Sequence, residues 1–293
     1  MRKDHGNNKK IRLRKRLLLE ILAGCVLLAV LTLAITNAER GSSSVAGSSS
    51  SAPEASAQPT ETSEQPTETS VKPAETTEAA KLPDVPAVAG EKKLVALTFD
   101  DGPHRTLTPR LLDFLEAQDV RVTFFVIGSS VENAPEVLRR AAAEGHQIGN
   151  HTSNHKDLTK LTPERRRSEI EDTAALIERI TGARPTTLRP PFGVQSDALR
   201  AAVDTPLIYW SMDPRDWSTR NADKTYTYVM EHARDGDIIL LHDIHAETIA
   251  AAERIIPALK AQGFVFVTVD QLLAARGEAK AGDMVRKRPP AGG

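Results

Sequence analysis

Short apolar runs alternate with amphipathic stretches along the chain from residue 91 onward. Seven runs have the length and apolar character of buried strands, and they are Leu94–Phe99, Arg121–Ile127, His146–Gly149, Thr186–Arg189, Leu207–Ser211, Asp237–Leu241 and Phe264–Val269. Six stretches between them have helical spacing, and they are Pro109–Ala117, Pro135–Glu144, Pro163–Thr181, Ser196–Val203, Asp223–Ala233 and Thr248–Ala261. This alternation predicts an α/β fold whose parallel sheet is closed, or nearly closed, into a barrel. No glycine-rich phosphate loop follows the first run, which argues against a nucleotide-binding fold.

A continuous apolar run near the start of the chain predicts a transmembrane helix over residues 17–36. Its 20 residues contain one charge, Glu20, and a helix of that length crosses about 30 Å of hydrocarbon. Residues 1–16 carry a net charge of +7, so we expect a cytoplasmic N-terminus and a single-pass anchor with the later residues outside the cell. Two alternatives stay open: a cleaved signal peptide, and lipidation at Cys25 within Leu22–Cys25.

The stretch between the anchor and the first strand predicts a tether. Residues 37–90 carry a net charge of −5, and the Ser, Thr, Pro and Glu of residues 41–80 are accompanied by no aromatic side chain. Such a segment cannot bury enough apolar surface to offset its ordering entropy, so we expect it to be disordered. The folded domain is then expected over residues 91–276, followed by a disordered tail over residues 277–293.

Composition changes this picture only after the chain is divided. The whole chain of 293 residues has a net charge of −1, but residues 91–293 carry −2 and the near-neutral total is a cancellation between unlike segments. There is no basic excess to favour nucleic acid as a partner. Cys25 is the single cysteine, so the exported domain has no intrachain disulfide. We expect a monomer.

Polar side chains follow five of the predicted strands. In β/α barrels the site is built from loops at the carboxyl ends of the strands, so these residues should share one rim. The segments are Asp100–Pro103, Asn150–His155, Arg189–Gly193, Met212–Trp217 and His242–His245. A purely structural barrel has no need of acids, histidines and an arginine at one rim.

The residue types at this rim suggest metal-assisted hydrolysis. His151 and His155 have metal-ligand spacing, which is weak evidence alone and stronger beside the Asp100–Asp101 pair. Adjacent residues on an extended strand point different ways, so one of these carboxylates could bind a metal while the other serves as base. The alternative is simple turn chemistry.

Two further rim residues invite a chemical role. Arg189 needs an anionic partner if it is buried. His242 directly follows an apolar strand and suits a proton donor that Asp213 or Asp216 could orient, with His245 as a rival for the donor.

Five ordered motifs resemble those of the NodB-homology polysaccharide deacetylases, carbohydrate esterase family 4. They span residues 94–270 and are Thr98–Gly102, His151-x3-His155, Arg189–Phe192, Asp216–Trp217 and Leu240-x-His242. The resemblance implies a distorted (β/α)7–8 barrel that removes N-acetyl groups from aminosugar polymers. It also implies a divalent metal, usually zinc, with cobalt or manganese as alternatives.

The resemblance assigns roles residue by residue. It makes Asp100 the catalytic base, positioned by Arg189, and His242 the general acid, with Asp216 as its partner. It makes Asp101, His151 and His155 the metal ligands. It places the Phe192 backbone N–H at the oxyanion, where a tyrosine is more common in the family, and it places Trp217 and Leu240 along the acetyl pocket.

The leading hypothesis from the sequence is therefore a membrane-anchored hydrolase acting outside the cell on peptidoglycan N-acetylglucosamine, with release of acetate. One alternative is a deacetylase of chitin oligosaccharides or of O-acetylated xylan. Another is a carbohydrate-binding wall protein without catalysis, whose signature would be the loss of a ligand or base.

Overall fold

The computed structural model describes residues 92–289. At the centre of the fold lies a buried strand that pairs in parallel with its neighbours. The strands are β1 (Lys93–Asp100), β2 (Thr123–Val126), β3 (Gln147–Asn150), β4 (Leu207–Ile208), β5 (Asp237–His242), β6 (Phe264–Phe266) and β7 (Met284–Val285). Every residue of β1 after Lys93 is buried, as expected for a run of apolar side chains covered on both faces.

The strands pair in parallel in the order β3-β2-β1-β5, and β6 pairs with the start of β1. Isolated parallel bridges extend this ladder: Leu188 bridges both Asn150 and Leu207, and Met212 bridges Ile239. These bridges lead from the β3 edge through Leu188 to β4, and the chain after β4 reaches β5 at Met212. The α/β fold with a parallel sheet is confirmed, and the extra bridges agree with the expected distorted barrel.

Helices cover the outside of the sheet. They are α1 (Leu107–Ala117), α2 (Gly128–Asn133), α3 (Pro135–Ala143), α4 (Pro163–Thr181), α5 (Asp197–Arg200), α6 (Asp216–Thr219), α7 (Ala222–His232), α8 (Ala246–Ala261) and α9 (Val269–Arg276). Local chemistry sets several ends: the Thr162 hydroxyl accepts a hydrogen bond from the Arg165 N–H at the start of α4, and Gly182 ends that helix at φ 79°.

Alternation along β1 divides the interior. Val95, Leu97 and Phe99 face the outer core, where they pack with the helices. Leu94 and Ala96 face an inner core with Phe125. Thr98 and Asp100 continue the inner face, so the pleat directs their polar side chains to that face, near the carboxyl end of the strand.

Two predictions about local structure were wrong. The predicted strand over Thr186–Arg189 forms only the bridges at Leu188, and Val269, predicted as the end of a strand, begins α9 behind a capping box formed by Thr268 and Gln271. The capping box satisfies the first amides of that helix, which an extended chain would leave to other partners.

The prediction of a disordered tail from residue 277 also needs correction. Met284–Val285 pair with β4, and the Val285 side chain is fully buried in the inner core. The Arg288 N–H donates to the Gly236 carbonyl, and Lys287 forms an ion pair with Asp237 at 2.9 Å. Residues 277–289 are therefore part of the fold.

The predicted cytoplasmic tail, transmembrane segment at 17–36 and tether at 37–90 all lie outside the described residues. Among the helices of residues 92–289, none combines the length and the apolar character needed to cross a membrane.

Candidate active site

The carboxyl ends of β1 and β5 bring two groups of polar side chains together. Asp100 is the register partner of His242, and Thr98 is the partner of Leu240. Because side chains two residues apart share a strand face, all four lie on the inner face at this rim. The rim predicted from the strand ends is therefore present.

Asp100 is held by a fully buried arginine. Arg189 Nη1 lies 2.6 Å from Asp100 Oδ1 and 2.8 Å from Thr98 Oγ1. The same guanidinium donates to the carbonyls of Ile208 and Tyr209, each at 3.1 Å. Burial lowers the pKa of Arg189, and the charge of Asp100 opposes that change. The predicted need of Arg189 for an anion is thus met by Asp100.

Asp101, His151 and His155 form a cluster in which each side chain offers one ligand atom. Asp101 Oδ1 lies 3.5 Å from His151 Nε2 and 3.6 Å from His155 Nε2. The three ligand atoms lie within 4.8 Å of one another. One carboxylate and two imidazoles form a donor set typical of catalytic zinc sites.

Hydrogen bonding prepares the His151 ring for a metal. His151 Nδ1 lies 2.7 Å from the Arg189 carbonyl oxygen, which can only accept, so Nδ1 carries the proton. The Nε2 lone pair therefore faces Asp101, and a second hydrogen bond of this kind is what orients histidine ligands in metal sites.

Asp101 Oδ1 is buried, and among the described residues it has no hydrogen-bond partner. Burial raises the pKa of Asp101, but interaction with His151, followed by the charge of His242, outweighs it and lowers the pKa to about 2. Burial also lowers the pKa of His155, followed by the charge of His151, which favours a neutral imidazole. An ionised carboxylate with an unused oxygen beside a neutral imidazole fits a divalent cation.

Left-handed backbone at non-glycine residues concentrates in the loops of this rim. Within the described range these residues are Asp101 (φ 75°), Asp119 (φ 48°), Thr152 (φ 70°), His155 (φ 53°), Phe192 (φ 60°), Arg215 (φ 57°) and Arg220 (φ 44°). Asp119 alone of this set lies outside the loops that follow the rim strands. Such conformations are unfavourable for residues with a Cβ and cluster at functional sites.

His242 and Asp216 form a second pair across the rim. His242 Nδ1 lies 3.0 Å from Asp216 Oδ1, and the His242 backbone N–H donates to Asp216 Oδ2 at 2.9 Å. Thr248 Oγ1 donates to the same Oδ2 at 2.7 Å. Burial alone would lower the pKa of His242, but the hydrogen bond and charge of Asp216, with smaller effects of Asp100 and Asp101, raise it to about 9. The raised pKa favours the cationic form of His242, and its Nε2 has no hydrogen-bond partner among the described residues.

The predicted substrate-contacting residues differ in exposure. Phe192 is 68% exposed, its ring lies 4.5 Å from the His155 ring, and none of the described residues accepts a hydrogen bond from its N–H. Trp217 is 45% exposed on α6, directly after Asp216. Leu240 is buried on the inner face of β5.

The rival donor His245 lies beside the pair rather than in it. Its ring centroid is 6.2 Å from that of His242, and burial, followed by the charge of Arg220, lowers its pKa. Asp213, the rival orienting acid, instead accepts a hydrogen bond from the Arg215 N–H at 2.7 Å.

The sequence analysis assigned no individual role to three buried residues of the site. Thr98 belongs to the first motif and lies two residues before Asp100, a spacing that places it on the same strand face. Asp243 lies within the predicted rim segment His242–His245, whereas no sequence pattern pointed to Thr248. Asp243 is fully buried under Gly102, accepts a hydrogen bond from Thr108 Oγ1, and has its pKa raised to about 7 by burial.

Comparison with known proteins finds related sequences. Residues 87–206 match the family model described as polysaccharide deacetylase. A peptidoglycan-N-acetylglucosamine deacetylase of Listeria monocytogenes is 42% identical over 194 residues, which cover 66% of this chain and 41% of the relative. A peptidoglycan-N-acetylglucosamine deacetylase of Bacillus cereus is 39% identical over 194 residues, which cover 64% of this chain and 91% of the relative. The chain thus spans about two fifths of the Listeria relative and most of the Bacillus one.

A solved structure also matches. The structure of a family 4 acetyl xylan esterase from Clostridium thermocellum, in complex with a cobalt ion, has a TM-score of 0.64 at 37% identity. The match covers 67% of this chain and all of that one.

Proposed function

Because the chain belongs to the polysaccharide deacetylase family, we propose that it hydrolyses N-acetyl groups of aminosugar polymers and releases acetate, with peptidoglycan N-acetylglucosamine as substrate. The observation that carries this proposal is the meeting of three side-chain groups at one rim. A carboxylate held by arginine, a ligand cluster and a cationic histidine are the parts that metal-assisted amide hydrolysis needs.

Asp101, His151 and His155 would hold the metal. Their fit rests on the buried, unpartnered Asp101 Oδ1 and on the His151 tautomer that leaves Nε2 free. A divalent metal held there would supply polarisation of the acetamide carbonyl and would lower the pKa of a water molecule toward about 7. Zn²⁺ is the expected ion, and the Clostridium esterase in complex with a cobalt ion supports Co²⁺ as an alternative.

Asp100 would accept the proton of the attacking water. Arg189 holds Oδ1, which leaves Oδ2 on the side of His151, 3.6 Å from its Nε2. Asp100 is therefore fixed beside the ligand cluster, and the oxygen that faces the cluster is not the one that Arg189 binds. Arg189 also balances the buried negative charge.

The Phe192 N–H would stabilise the oxygen of the acetamide carbonyl as negative charge develops on it. Its left-handed backbone, beside the His155 ring, leaves the N–H without a partner among the described residues. A preorganised amide donor of this kind stabilises the charge that develops on the oxygen in the transition state. Because the backbone supplies the donor, phenylalanine suffices in place of tyrosine.

His242 would protonate the leaving nitrogen. Asp216 orients Nδ1 and holds the ring in its cationic form, so that Nε2 can donate the proton that converts the amide nitrogen into an amine. Trp217 and Leu240 would border the space for the acetyl methyl group. The products are acetate and a free amino sugar.

Acetate release tests this function. The purified protein, with its metal content measured, is offered peptidoglycan, N-acetylglucosamine oligomers and acetylated xylan. Release from peptidoglycan is expected to exceed release from the other two. Preference for acetylated xylan would favour the O-acetyl esterase alternative, which the name of the Clostridium structure supports.

Absence of acetate from all three, with the metal present and wall binding retained, would favour a carbohydrate-binding protein. The described site argues against that alternative because none of the proposed ligands or proton-transfer groups is missing from it.

We further propose that the enzyme is anchored in the cell membrane by residues 17–36 and acts outside the cell as a monomer. The support is the apolar run and the +7 flank before it. Protease treatment of intact cells should remove the catalytic domain, and its survival would contradict external exposure.

A further inference from the structure

Two arginines flank the short helix that carries Asp216 and Trp217. Arg215 precedes α6 with φ 57° and ψ 38°, and Arg220 follows it with φ 44° and ψ 46°. This left-handed conformation suits glycine and is unfavourable for a residue with a Cβ. The chain thus carries two long cationic side chains at positions where the backbone conformation disfavours any side chain.

The same backbone conformation marks residues of the proposed site, including Asp101, His155 and Phe192. At those positions it aims a ligand or an N–H into the rim. Arg215 and Arg220 share this backbone conformation and lie near the same rim, which points to a role for their side chains.

Both arginine residues are exposed, and no carboxylate of residues 92–289 lies within 4.0 Å of either guanidinium. Asp213, the nearest acid in sequence, accepts from the Arg215 backbone N–H instead. Arg220 Nε donates to the Trp217 carbonyl at 2.9 Å, which orients the guanidinium and leaves its two terminal nitrogens available.

The two cations border the exposed Trp217. The Arg215 guanidinium carbon lies 5.7 Å from the centre of the Trp217 ring. Arg220 lies close enough to His245 for its charge to act on that ring, which stacks near His242. Positive charge therefore lies beside Trp217 and His245, on the His242 side of the site.

This charge is local. Residues 91–293 carry a net charge of −2, whereas residues 215–220 contain two arginines and one carboxylate, Asp216, which is buried and paired with His242. A cationic rim on an acidic domain indicates an anionic partner at this place.

We propose that Arg215 and Arg220 bind carboxylate groups of the polymer next to the sugar that is deacetylated, so that the substrate class is a carboxylate-bearing aminosugar polymer rather than a neutral one. This inference rests on the proposed deacetylase function. Trp217 stacks on a sugar face, while the guanidinium groups pair with carboxylates on neighbouring sugar units. A guanidinium group can bind a carboxylate through two parallel hydrogen bonds. Glycan strands whose muramic acid carries no peptide present such carboxylates, and N-acetylglucosamine oligomers do not.

The test compares R215Q/R220Q with wild type on two substrates. On soluble glycan strands with free carboxylates, the double variant should raise KM about tenfold with little change in kcat, and the increase of KM with added salt should weaken. On N-acetylglucosamine oligomers, kcat/KM should change less than about twofold. R139Q, an exposed arginine on α3 without a carboxylate partner among the described residues, provides the matched control, and it should behave as wild type on both substrates.

R215G/R220G separates the side chain from the backbone. Glycine suits both positions, so this variant should fold at least as stably as wild type and still lose the preference for carboxylated strands. Equal loss on both substrates, or no loss on the carboxylated strands, overturns the proposal.

Binding measured without turnover distinguishes this inference from the proposed function. Titration calorimetry measures the binding of D100N to carboxylated strands and to the same strands after chemical reduction of their carboxylates. The reduced strands should bind more weakly than the carboxylated ones. The arginine substitutions placed in D100N should abolish that difference. If wild type releases no acetate from any polymer, the deacetylase function fails, and the calorimetry still decides the role of the arginines.

Discussion

The carbonyl oxygen of Arg189 accepts a hydrogen bond from Nδ1 of His151 at 2.7 Å. The guanidinium of the same residue holds Asp100 at 2.6 Å. One buried arginine therefore orients both the proposed base and one proposed metal ligand, the first through its side chain and the second through its backbone. Loss of the side chain should consequently disturb proton transfer more directly than metal binding.

Arg189→Lys tests this division. Lysine keeps the charge but cannot reproduce the four hydrogen bonds to Asp100, Thr98, Ile208 and Tyr209, so we expect the free energy of unfolding to fall by about 3 kcal/mol. We expect kcat to fall at least about a hundredfold with metal affinity much less affected. Urea unfolding, acetate release and metal titration measure the three effects. R139K is the control, and R189K with wild-type kcat would show that the arginine fork is not needed.

Asp100 and Asp101 should separate cleanly as base and ligand. Asp100→Asn should lower kcat by about 10²- to 10⁴-fold while metal stays bound, because the amide cannot accept the proton of water. Asp101→Asn should instead lower metal affinity, because the Asn side chain carries no charge. Metal analysis after dialysis distinguishes the two variants. Full activity of Asp100→Asn would contradict the role of Asp100 as base. Unchanged metal affinity of Asp101→Asn would contradict the role of Asp101 as ligand.

Activity should fall as pH rises through about 9. His242 donates a proton in the proposed reaction, and its pKa is raised to about 9 by Asp216 against the opposing effect of burial. The cationic form is therefore present below that pH and lost above it. In Asp216→Asn the alkaline limb of kcat/KM should move to lower pH. His245→Gln serves as control, since it should leave the limb in place, and equal shifts in both variants would reassign the proton donor.

Much of the site could be predicted from sequence because a parallel sheet collects its strand ends. Asp100, His151, Arg189 and His242 lie at or just after apolar runs, and period-two alternation fixes which residues of β1 and β5 share a face. The motif residues thus come together once the strands are recognised. The division between base and ligand depended on the family resemblance, because adjacency alone left both assignments open.

Features held by distant contacts could not be predicted in this way. The tail beyond residue 277 is polar and glycine-containing, and its order depends on pairing between Val285 and Ile208, which lie far apart in sequence. Thr248 reaches Asp216 only because α8 packs across the end of β5. No local pattern carries such information, so periodicity alone misses these contacts.

Gly102 should be intolerant of any side chain. A Cβ at this position would lie 2.5 Å from both carboxylate oxygens of Asp243, which is buried beneath the turn that carries Asp101. We expect Gly102→Ala to lower the free energy of unfolding by about 1 to 3 kcal/mol and to weaken metal binding, because the turn must shift. In an Asp243→Ala background the added methyl group has room, so the substitution should cost less there. Additive costs in this double-mutant cycle would show that Asp243 is not the obstacle.

His146 should make the metal-free protein less stable in mild acid. Burial, followed by the charges of Arg121 and Arg140, lowers the pKa of His146 from 6.5 to about 3. Above pH 6.5 the ring is neutral in both folded and unfolded chains, so it adds no pH dependence. Below pH 6.5 the unfolded chain binds a proton that the folded chain does not, and stability falls until the folded ring also titrates near pH 3. At pH 5 the loss amounts to about 2 kcal/mol.

His146→Asn isolates this contribution. His146 Nδ1 accepts a hydrogen bond from the Val122 N–H at 3.2 Å, and an asparagine carbonyl can accept in its place without titrating. Between pH 7 and pH 5, urea unfolding should show a decline in stability about 2 kcal/mol smaller for the variant than for wild type. Parallel declines would mean that His146 is protonated in the folded state, in which case the Glu144 carboxylate, 3.8 Å from Nε2, pairs with it as an ion.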